Sequence, residues 1–481
     1  MAEKKGGFNV VDLFMLGFGA IVGVGWSVTL NNWMGTGGGP GPAALGYAIA
    51  TLGLIPVAFV YAELAPAIPV AGGAVAYSYK AFGDKMAFVA GWFLAMGYIS
   101  IIPWEAIFIC DIMSYILPFL KAGNPIYTLA GTDIFLPAII MGLVLGIIII
   151  SVNWRGAGAA AKFQTAVTLL LLTGAAVAVI FLMVKANPDN LQPFYDNYKN
   201  KPHSSAIGGA MSIFAIAPFY FSGFDTIAQG AEDAGGVNPK NIGRVIVGAL
   251  SCAGALYVLM LLSSGMCMPW HDFVTYQAPV VSTVMIDLYP GALGVALYWV
   301  TMIAALTGLF STWNGFYVAG SRLLLGLGRA ALIPSFFAKQ HPKYGTPWGG
   351  NIFCGIMLFV GPFLGIGLID PLTVVGSTGF VISWGLSALC AYKLRNTDPG
   401  MNRPYKMPGG KGMAILAALL CAFFLVNMLI PALPGWMGNT AFIIFLCWAA
   451  VGIVFWFATA GHRNSIPLEE RTKDLFQAVM K

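Results

Sequence analysis

Val22-Gly23-Val24-Gly25-Trp26 and Phe221-Ser222-Gly223-Phe224-Asp225 are two stretches in which glycine interrupts an otherwise apolar segment. Glycine loosens a helix in a bilayer and leaves backbone amides and carbonyls unpaired, which is tolerated only where the backbone lines a cavity. Two breaks at matching positions in the two halves of a chain indicate a substrate site near the bilayer midplane. The pair of breaks therefore predicts a membrane transporter.

The composition is that of a membrane protein. Of 481 residues, 58% are hydrophobic and only 9% are charged, whereas about a quarter of the residues in a soluble domain are charged. A helix needs roughly 20 apolar residues to cross the hydrocarbon core. The sequence predicts an all-α polytopic membrane protein with about twelve transmembrane helices, which start near residues 9, 40, 87, 135, 163, 206, 243, 292, 349, 371, 413 and 439.

The positions of the basic residues predict the orientation. Of the 25 Lys and Arg residues, only Lys121, Lys185, Lys199 and Lys201 fall on the side opposite the N-terminus. Because Lys and Arg concentrate in cytoplasmic loops, we expect a multi-pass protein of the plasma (cell inner) membrane with both termini in the cytoplasm. Topology accounts for the net charge of +6, so the sequence predicts the lipid bilayer as a partner and no nucleic acid.

The polar residues form no catalytic pattern. The sequence has no His-Glu-x-x-His, Gly-x-Ser-x-Gly or phosphate-binding glycine motif, and its seven cysteines lie in or beside apolar segments without metal-ligand spacing. We therefore expect no enzyme activity and no cofactor, other than a proton or sodium as coupling ion. The four histidines all lie in predicted loops, namely His203, His271, His341 and His462.

The order of the spans predicts one transmembrane domain over residues 1–481. Spans one to five, at about residues 9–185, and spans six to ten, at about 206–395, each begin with a broken helix, which predicts an inverted five-plus-five repeat. Spans eleven and twelve, at about 413–460, form an appendage followed by a short cytoplasmic tail. The outer segment 269–290 is either a short lid helix over the mouth or a plain interfacial loop.

Four motifs in the first 350 residues resemble the amino acid–polyamine–organocation (APC) permeases, which have a leucine-transporter-like fold. No single motif is specific, but the four occur in the order and at the spacing of that superfamily. They are the break at residues 23–25; Tyr61-Ala62-Glu63-Leu64 with Ala71-Gly72-Gly73; Gly223-Phe224-Asp225 with Glu232-Asp233 and Asn238-Pro239-Lys240-Asn241; and PSFFAKQHPKYGTP at residues 334–347, after Arg322.

The breaks offer two kinds of binding group. Free amides at a half-helix N-terminus suit a carboxylate, whereas free carbonyls at a C-terminus suit an ammonium group or a metal cation. Pro218 adds a kink just before the second break. The resemblance implies that span one holds the substrate carboxylate at Val22, Gly23, Val24 and Gly25, and that span six holds the amino group at Phe219, Phe221, Ser222 and Gly223.

Two bulky residues extend this predicted site. Trp26 stands where the relatives usually have a smaller apolar residue, so we expect it to narrow the pocket or to form an aromatic wall. Trp313 in span eight is a candidate for the opposite wall. Trp33 is assigned to the interfacial aromatic belt.

Four acids lie within predicted spans, where a buried charge is costly. No Lys or Arg is predicted at their depth, so each is either protonated or visited by a cation. Glu105 follows Trp104, and the pair predicts a cation site through charge and cation–π attraction; the alternative is a protonated Glu105 bonded to a neighbouring carbonyl. Asp111, Asp225 and Glu63 are candidates for coupling or gating, although a structural role is favoured for Glu63 and a bridging role for Asp225.

The coupling ion is left open by the sequence. The resemblance implies a lysine midway along span five in proton-coupled members, but residues 169–172 at the matching position are all Leu. Adjacent hydroxyls in span eight serve sodium-dependent members, which makes Ser311 and Thr312 candidates for a sodium site. Sodium symport, proton symport through Glu105 and uncoupled exchange all remain open.

The function predicted from these features is secondary active transport of an amino acid or a related organic amine by alternating access. A polyamine or monoamine exchanger is the alternative. A channel is disfavoured, because the polar residues cluster and do not line a continuous pore.

Overall fold

The computed structural model describes residues 8–198, 204–234 and 236–477, except for the side chains of Ala157 and Asp233. The two termini that we assign to the cytoplasm, and the predicted outer residues Lys199, Lys201 and His203, lie outside these ranges. The helices of the described residues are α1 (Val10–Val22), α2 (Gly25–Val28), α3 (Leu30–Gly37), α4 (Pro40–Ala67), α5 (Ala74–Phe82), α6 (Asp84–Ile116), α7 (Leu136–Trp154), α8 (Ala157–Val184), α9 (Ala206–Phe221), α10 (Thr226–Gln229), α11 (Pro239–Cys267), α12 (Trp270–Phe273), α13 (Val280–Leu288), α14 (Ala292–Arg329), α15 (Trp348–Val360), α16 (Ile369–Thr397), α17 (Gly410–Leu429), α18 (Gly438–Ala458), α19 (Ala460–Ser465) and α20 (Leu468–Leu475).

The helices confirm an all-α polytopic membrane protein. Within the described ranges, 11 helical segments are long and apolar enough to cross a membrane, and Trp348–Phe363 is a shorter apolar helix at the place of the predicted ninth span. Every predicted span start lies within a few residues of a helix start. The count of twelve spans and the inverted repeat remain predictions.

Both glycine breaks are present. The first helix ends at Val22, and Gly23 then adopts φ +43°, while the second ends at Phe221 before Gly223 at φ +129°. Only glycine takes such positive φ values at little cost. The breaks also touch each other, because a side-chain carbon on Gly223 would lie 2.6 Å from the backbone nitrogen of Ile21.

The broken helices lie in the centre of the bundle. Helix α1 packs against α8, α11 and α14, and α9 packs against α4 and α16. Most of the first, third and sixth predicted spans is buried, whereas most of α7, α17 and α18 faces outward. This arrangement surrounds the two breaks with protein and leaves the appendage toward lipid.

The outer connections contain short elements. Strands β1 (Tyr127–Leu129) and β2 (Thr132–Ile134) form an antiparallel hairpin between α6 and α7. The segment 269–290 contains two short helices, α12 and α13, whereas the sequence predicts one short helix or a plain loop. Helix α13 packs on α14 and on α2, directly beyond the first break.

Candidate functional site

The first break leaves a row of backbone amides without acceptors. Among the hydrogen bonds of the described residues, none is donated by the amides of Gly23, Val24, Gly25 or Trp26. Buried amides normally have partners. This row therefore offers donors to a ligand, as predicted for a carboxylate.

Tyr257 of α11 ties the two breaks together. Its hydroxyl group donates to the carbonyl of Ile21 at 2.6 Å and lies 3.0 Å from the carbonyl of Tyr220. These carbonyls belong to the last turns of α1 and α9. The hydroxyl thus holds the carbonyl ends of both half-helices at one point.

Glu105 lies close to this junction and has no partner for one of its oxygens. The residue is buried, Oε2 accepts no hydrogen bond, and the carboxyl group is within electrostatic range of the Tyr257 hydroxyl. No Lys or Arg of the described residues forms a salt bridge with it. An unpaired buried carboxyl group is costly, which makes Glu105 a candidate functional residue.

Trp104 joins Glu105 to the second break. Its ring centroid lies 5.5 Å from that of Phe219 and 6.3 Å from that of Tyr220, and its indole N–H donates to Thr373 at 3.1 Å. The structure therefore brings together Trp104, Glu105 and the end of α9. Ser222 closes that end by donating to the carbonyl of Phe219.

An aromatic cluster fills the space beside Gly25. A side-chain carbon on Gly25 would lie 3.2 Å from the ring of Tyr220 and 3.3 Å from that of Trp33. The ring of Trp33 also contacts Tyr47 and Tyr257, while Phe221 packs on the same two tyrosines. The assignment of Trp33 to the interfacial belt is therefore wrong, because its side chain is fully buried beside the break.

Trp26 is also fully buried, and its indole N–H has no hydrogen-bond partner. It belongs to α2, which packs on α13 and α14. This position is compatible with the predicted wall of the pocket.

A cleft leads from the outer surface to this cluster. It has a volume of about 180 Å³ and lies between α3, α9 and α16. Tyr220 and Thr373 line it, and both contact Trp104. Asp370 at its rim accepts a hydrogen bond from Asn32 at 3.3 Å. The cleft ends at the aromatic residues that cover the breaks.

The prediction that all four membrane acids lack basic partners is wrong for two of them. Glu63 is fully buried, but Arg395 donates to it through Nε at 3.0 Å, and Arg403 lies 3.4 Å away. Asp111 pairs with Lys121 at 2.6 Å on the outer surface. The charges of both carboxylates are therefore already compensated, which favours a structural role over coupling.

Asp225 connects the second break to α6. Tyr98 donates to its Oδ2 at 2.8 Å, and the amide of Gly223 donates to its Oδ1 at 3.0 Å. The side chain is fully buried. It holds the positive-φ glycine in place and fixes the break to the third span.

Ser311 and Thr312 lie next to the first span, as a sodium site would require, but their hydroxyl groups are engaged. Gln164 donates to Ser311 at 2.7 Å, and Thr168 lies 2.9 Å from the same oxygen. Thr312 donates to the carbonyl of Gly19 at 3.2 Å. Gln164 also donates to the carbonyl of Met15 at 3.3 Å, so its amide occupies the centre of this polar cluster.

Trp313 does not face the breaks, contrary to the sequence prediction. Its ring lies close to Gly146 of α7, and its aromatic partner is Phe310. Residues 312 and 315 of α14 face α1, so residue 313 points to the side. The opposite wall of the candidate site is formed by Trp104 and Tyr220.

A second ion pair closes the face that the charge distribution assigns to the cytoplasm. Arg329 at the end of α14 donates to Glu232 at 2.9 and 3.3 Å, and the amide of Ala71 donates to Glu232 at 2.7 Å. Burial alone raises the pKa of Glu232, but the hydrogen bonds and charge of Arg329 prevail and lower it. Gly72 and Gly326 are in close backbone contact beside the pair.

The sequence prediction missed several of these residues. Tyr257 is a polar residue within the apolar span α11, and Gln164 and Thr168 stand four positions apart on one helical face. These signals were available in the sequence. Glu232 was noted only as part of a motif, and its pairing with Arg329 joins residues 97 positions apart.

Backbone donors left free where two membrane-spanning helices break side by side are typical of membrane transporters with broken helices. The chain belongs to the amino acid permease family, whose model matches residues 8–460, within the APC superfamily. It is therefore a transporter and not an enzyme.

This chain aligns with most of the length of its relatives. The chain is 26% identical to a methylthioribose transporter of Bacillus subtilis, with 93% of this chain and 92% of the relative aligned. It is also 26% identical to the branched-chain amino acid permease BcaP of the same organism, over 93% and 91% of the two chains. The chain is 26% identical to cationic amino acid transporter 5 of Arabidopsis thaliana, with 92% of this chain and 75% of the relative aligned.

Proposed function

We propose that this permease is a secondary active transporter of an amino acid or a related organic amine, and that it works by alternating access. The observation that carries the proposal is a pair of polar groups without hydrogen-bond partners, namely the amides of the first break and the carboxyl group of Glu105. The free amides of residues 23–26 suit a carboxylate, and the unpaired Glu105 suits an ammonium group. A zwitterion carries a complementary group for each of them.

A polyamine or monoamine exchanger is the second candidate. Glu105 and the rings of Trp104 and Tyr220 favour a cation through charge and cation–π attraction. A ligand without a carboxylate leaves the amides of the first break unsatisfied, which costs free energy. An amino acid is therefore the preferred substrate class. The relatives differ in their named substrates and do not select one compound.

We further propose that transport is independent of sodium. The Gln164 amide nitrogen lies 2.7 Å from the Ser311 hydroxyl and 3.3 Å from both the Thr168 hydroxyl and the Met15 carbonyl, so a cation between these oxygens must displace the two N–H donors of the amide. A proton carried by Glu105 is then the favoured coupling ion, and uncoupled exchange is the alternative. The basic residues support a plasma-membrane location with cytoplasmic termini.

A thermal-shift screen tests the proposed site. Purified protein is heated with single amino acids, polyamines or simple amines, because a ligand of the native state raises the melting temperature by mass action. We expect one amino acid class to stabilise the wild type and Gly23→Val to abolish this effect, since a side-chain carbon there would lie 2.2 Å from the Thr312 hydroxyl.

Gly25→Ala is the milder second variant, because its nearest contacts are at 3.2 Å and its φ is not positive. We expect it to weaken ligand stabilisation while the ligand-free melting temperature changes little. If both variants are stabilised by ligand as strongly as the wild type, the first break is not the substrate site. If only polyamines stabilise the protein, the exchanger is the better candidate.

A further inference from the structure

An apolar groove runs along the outside of the bundle between α6 and α18. It has a volume of about 340 Å³, and almost all of its lining is apolar. Since most of α18 faces outward, the groove opens toward the lipid. Its lining includes Phe88, Trp92, Ala449, Ile453 and Phe457.

The wall of this groove is rigid. Trp92 donates its indole N–H to the carbonyl of Trp448 at 3.0 Å, and Trp448 donates to the carbonyl of Trp92 at 3.1 Å. The two rings are stacked with centroids 4.8 Å apart, and Phe88 stacks on Trp92. Gly452 provides the space for the Trp92 indole, because a side-chain carbon there would lie 2.4 Å from its nitrogen.

A larger cavity continues from one end of the groove. It has a volume of about 810 Å³ and lies among α5, the start of α6 and α20. Lys85 lines both spaces and so stands at their junction. The larger cavity also carries the hydroxyl groups of Tyr79 and Thr472. A polar space thus adjoins an apolar one at the end of a membrane span.

Lys85 is the cation available at this junction. It forms no salt bridge among the residues that the structure describes and is exposed. The neighbouring charges are already paired, since Asp84 binds Arg471 at 2.6 Å and Lys80 binds Asp398 at 2.8 Å. The junction therefore has an uncompensated positive charge that complements an anion.

We propose that this groove and cavity form a binding site for an anionic glycerophospholipid. One acyl chain lies in the groove against Trp92 and Ile453, and the phosphate group lies at Lys85 with the rest of the headgroup in the cavity. The leaflet of the bilayer that surrounds this end of α6 supplies the lipid. The shared lysine selects the headgroup charge, and the aromatic wall holds the chain.

Lipid binding to the purified protein tests the proposal through native mass spectrometry and melting temperature. Phosphatidylglycerol and phosphatidylcholine with identical chains are compared, and inorganic phosphate is added separately. We expect the wild type to prefer phosphatidylglycerol and Lys85→Gln to bind it about fivefold more weakly, with a smaller loss for phosphatidylcholine, whose choline cation offsets the charge of the same phosphate group. Lys411→Gln, at an exposed position outside the groove, is the matched control.

A second pair of variants tests the acyl chain. Ala449→Leu fills the groove, whereas Ala450→Leu makes the same change at the next, exposed residue outside the lining. We expect only Ala449→Leu to weaken binding of both lipids. The proposal is overturned if Lys85→Gln keeps the phosphatidylglycerol preference, if the two alanine variants bind lipid equally, or if inorganic phosphate alone reproduces the Lys85-dependent stabilisation.

Discussion

Glu63 and Glu105 are both buried glutamates in membrane-spanning helices, and their neighbours give them different roles. Arg395 and Arg403 surround Glu63, whereas Glu105 has an oxygen without any partner. A charge that is already compensated can hold two segments together but has little left for a ligand. An uncompensated acid can bind a cation or carry a proton.

Glu105→Gln is expected to impair transport without unfolding the protein. Loss of a hydrogen bond to a charged group costs about 1.5–3 kcal/mol, or roughly a 10- to 100-fold loss of transport efficiency. Uptake by reconstituted vesicles measures this change. Asp111→Asn is the control, since its partner Lys121 lies on the outer surface. Full activity of Glu105→Gln excludes a role in recognition or proton relay.

Glu63→Gln is expected to act on stability. It leaves the partly buried Arg395 and Arg403 without the counter-charge of the fully buried Glu63. Breaking a fully buried ion pair costs about 3–5 kcal/mol, and the partial exposure of Arg395 places this variant toward the lower end of that range. The melting temperature of the purified protein should fall clearly. Asp398→Asn, which removes an exposed partner of Lys80, should change it little. Equal effects of the two variants would contradict the structural role of Glu63.

The helices and their breaks could be predicted from the sequence because both depend on local patterns. Long apolar runs define the spans, and the glycine pairs define the breaks. The partners of buried groups could not be predicted, because Arg395 is 332 positions from Glu63 in the chain. The prediction that Trp313 faces the breaks was wrong for a related reason. An apolar helix that packs against neighbours on several sides has no periodicity in its sequence that marks one face.

The polar cluster between α1, α8 and α14 makes a prediction about the coupling ion. Because the Gln164 amide occupies its centre, uptake should be the same in sodium chloride and in potassium chloride at equal ionic strength. Initial uptake rates in vesicles under both conditions provide the measurement. A large drop in potassium chloride would show that sodium binds despite the amide and would contradict this assignment.

The molecule as a whole has a cleft that leads toward the breaks from one face, and an ion pair that closes the face assigned to the cytoplasm by the charge distribution. Glu232 and Arg329 fasten that face, together with the loop amide of Ala71. Alternating access requires these contacts to open when the outer cleft closes. The ion pair is therefore a natural point of control over the two conformations.

Arg329→Gln is expected to open the closed face more often. Amide hydrogen exchange of residues 71–74 should be faster than in the wild type, because Ala71 loses a fixed acceptor. Arg155→Gln, at an exposed position, is the control. Unchanged exchange in Arg329→Gln would contradict the closing role of the pair.

The closure should also depend on pH with a defined sign. Arg329 lowers the pKa of Glu232 in the folded protein. The stabilisation that the ion pair gives to the closed face is therefore complete above the ordinary Glu pKa of about 4.3, and it is lost as the pH falls through the lowered value. The protection of residues 71–74 relative to their intrinsic exchange rate at each pH should therefore stay constant from neutral pH into the mildly acidic range, and a loss of protection in that range would contradict the lowered pKa.

Substrate counterflow in reconstituted vesicles tests the central claim most directly. Vesicles are loaded with the unlabelled amino acid that stabilises the protein most, and entry of the labelled compound is followed. An alternating-access carrier predicts transient accumulation of label above its equilibrium level, and saturation as the substrate concentration rises. Label that never exceeds equilibrium, with flux linear in concentration, would contradict the claim that a closed site between the two breaks carries the substrate.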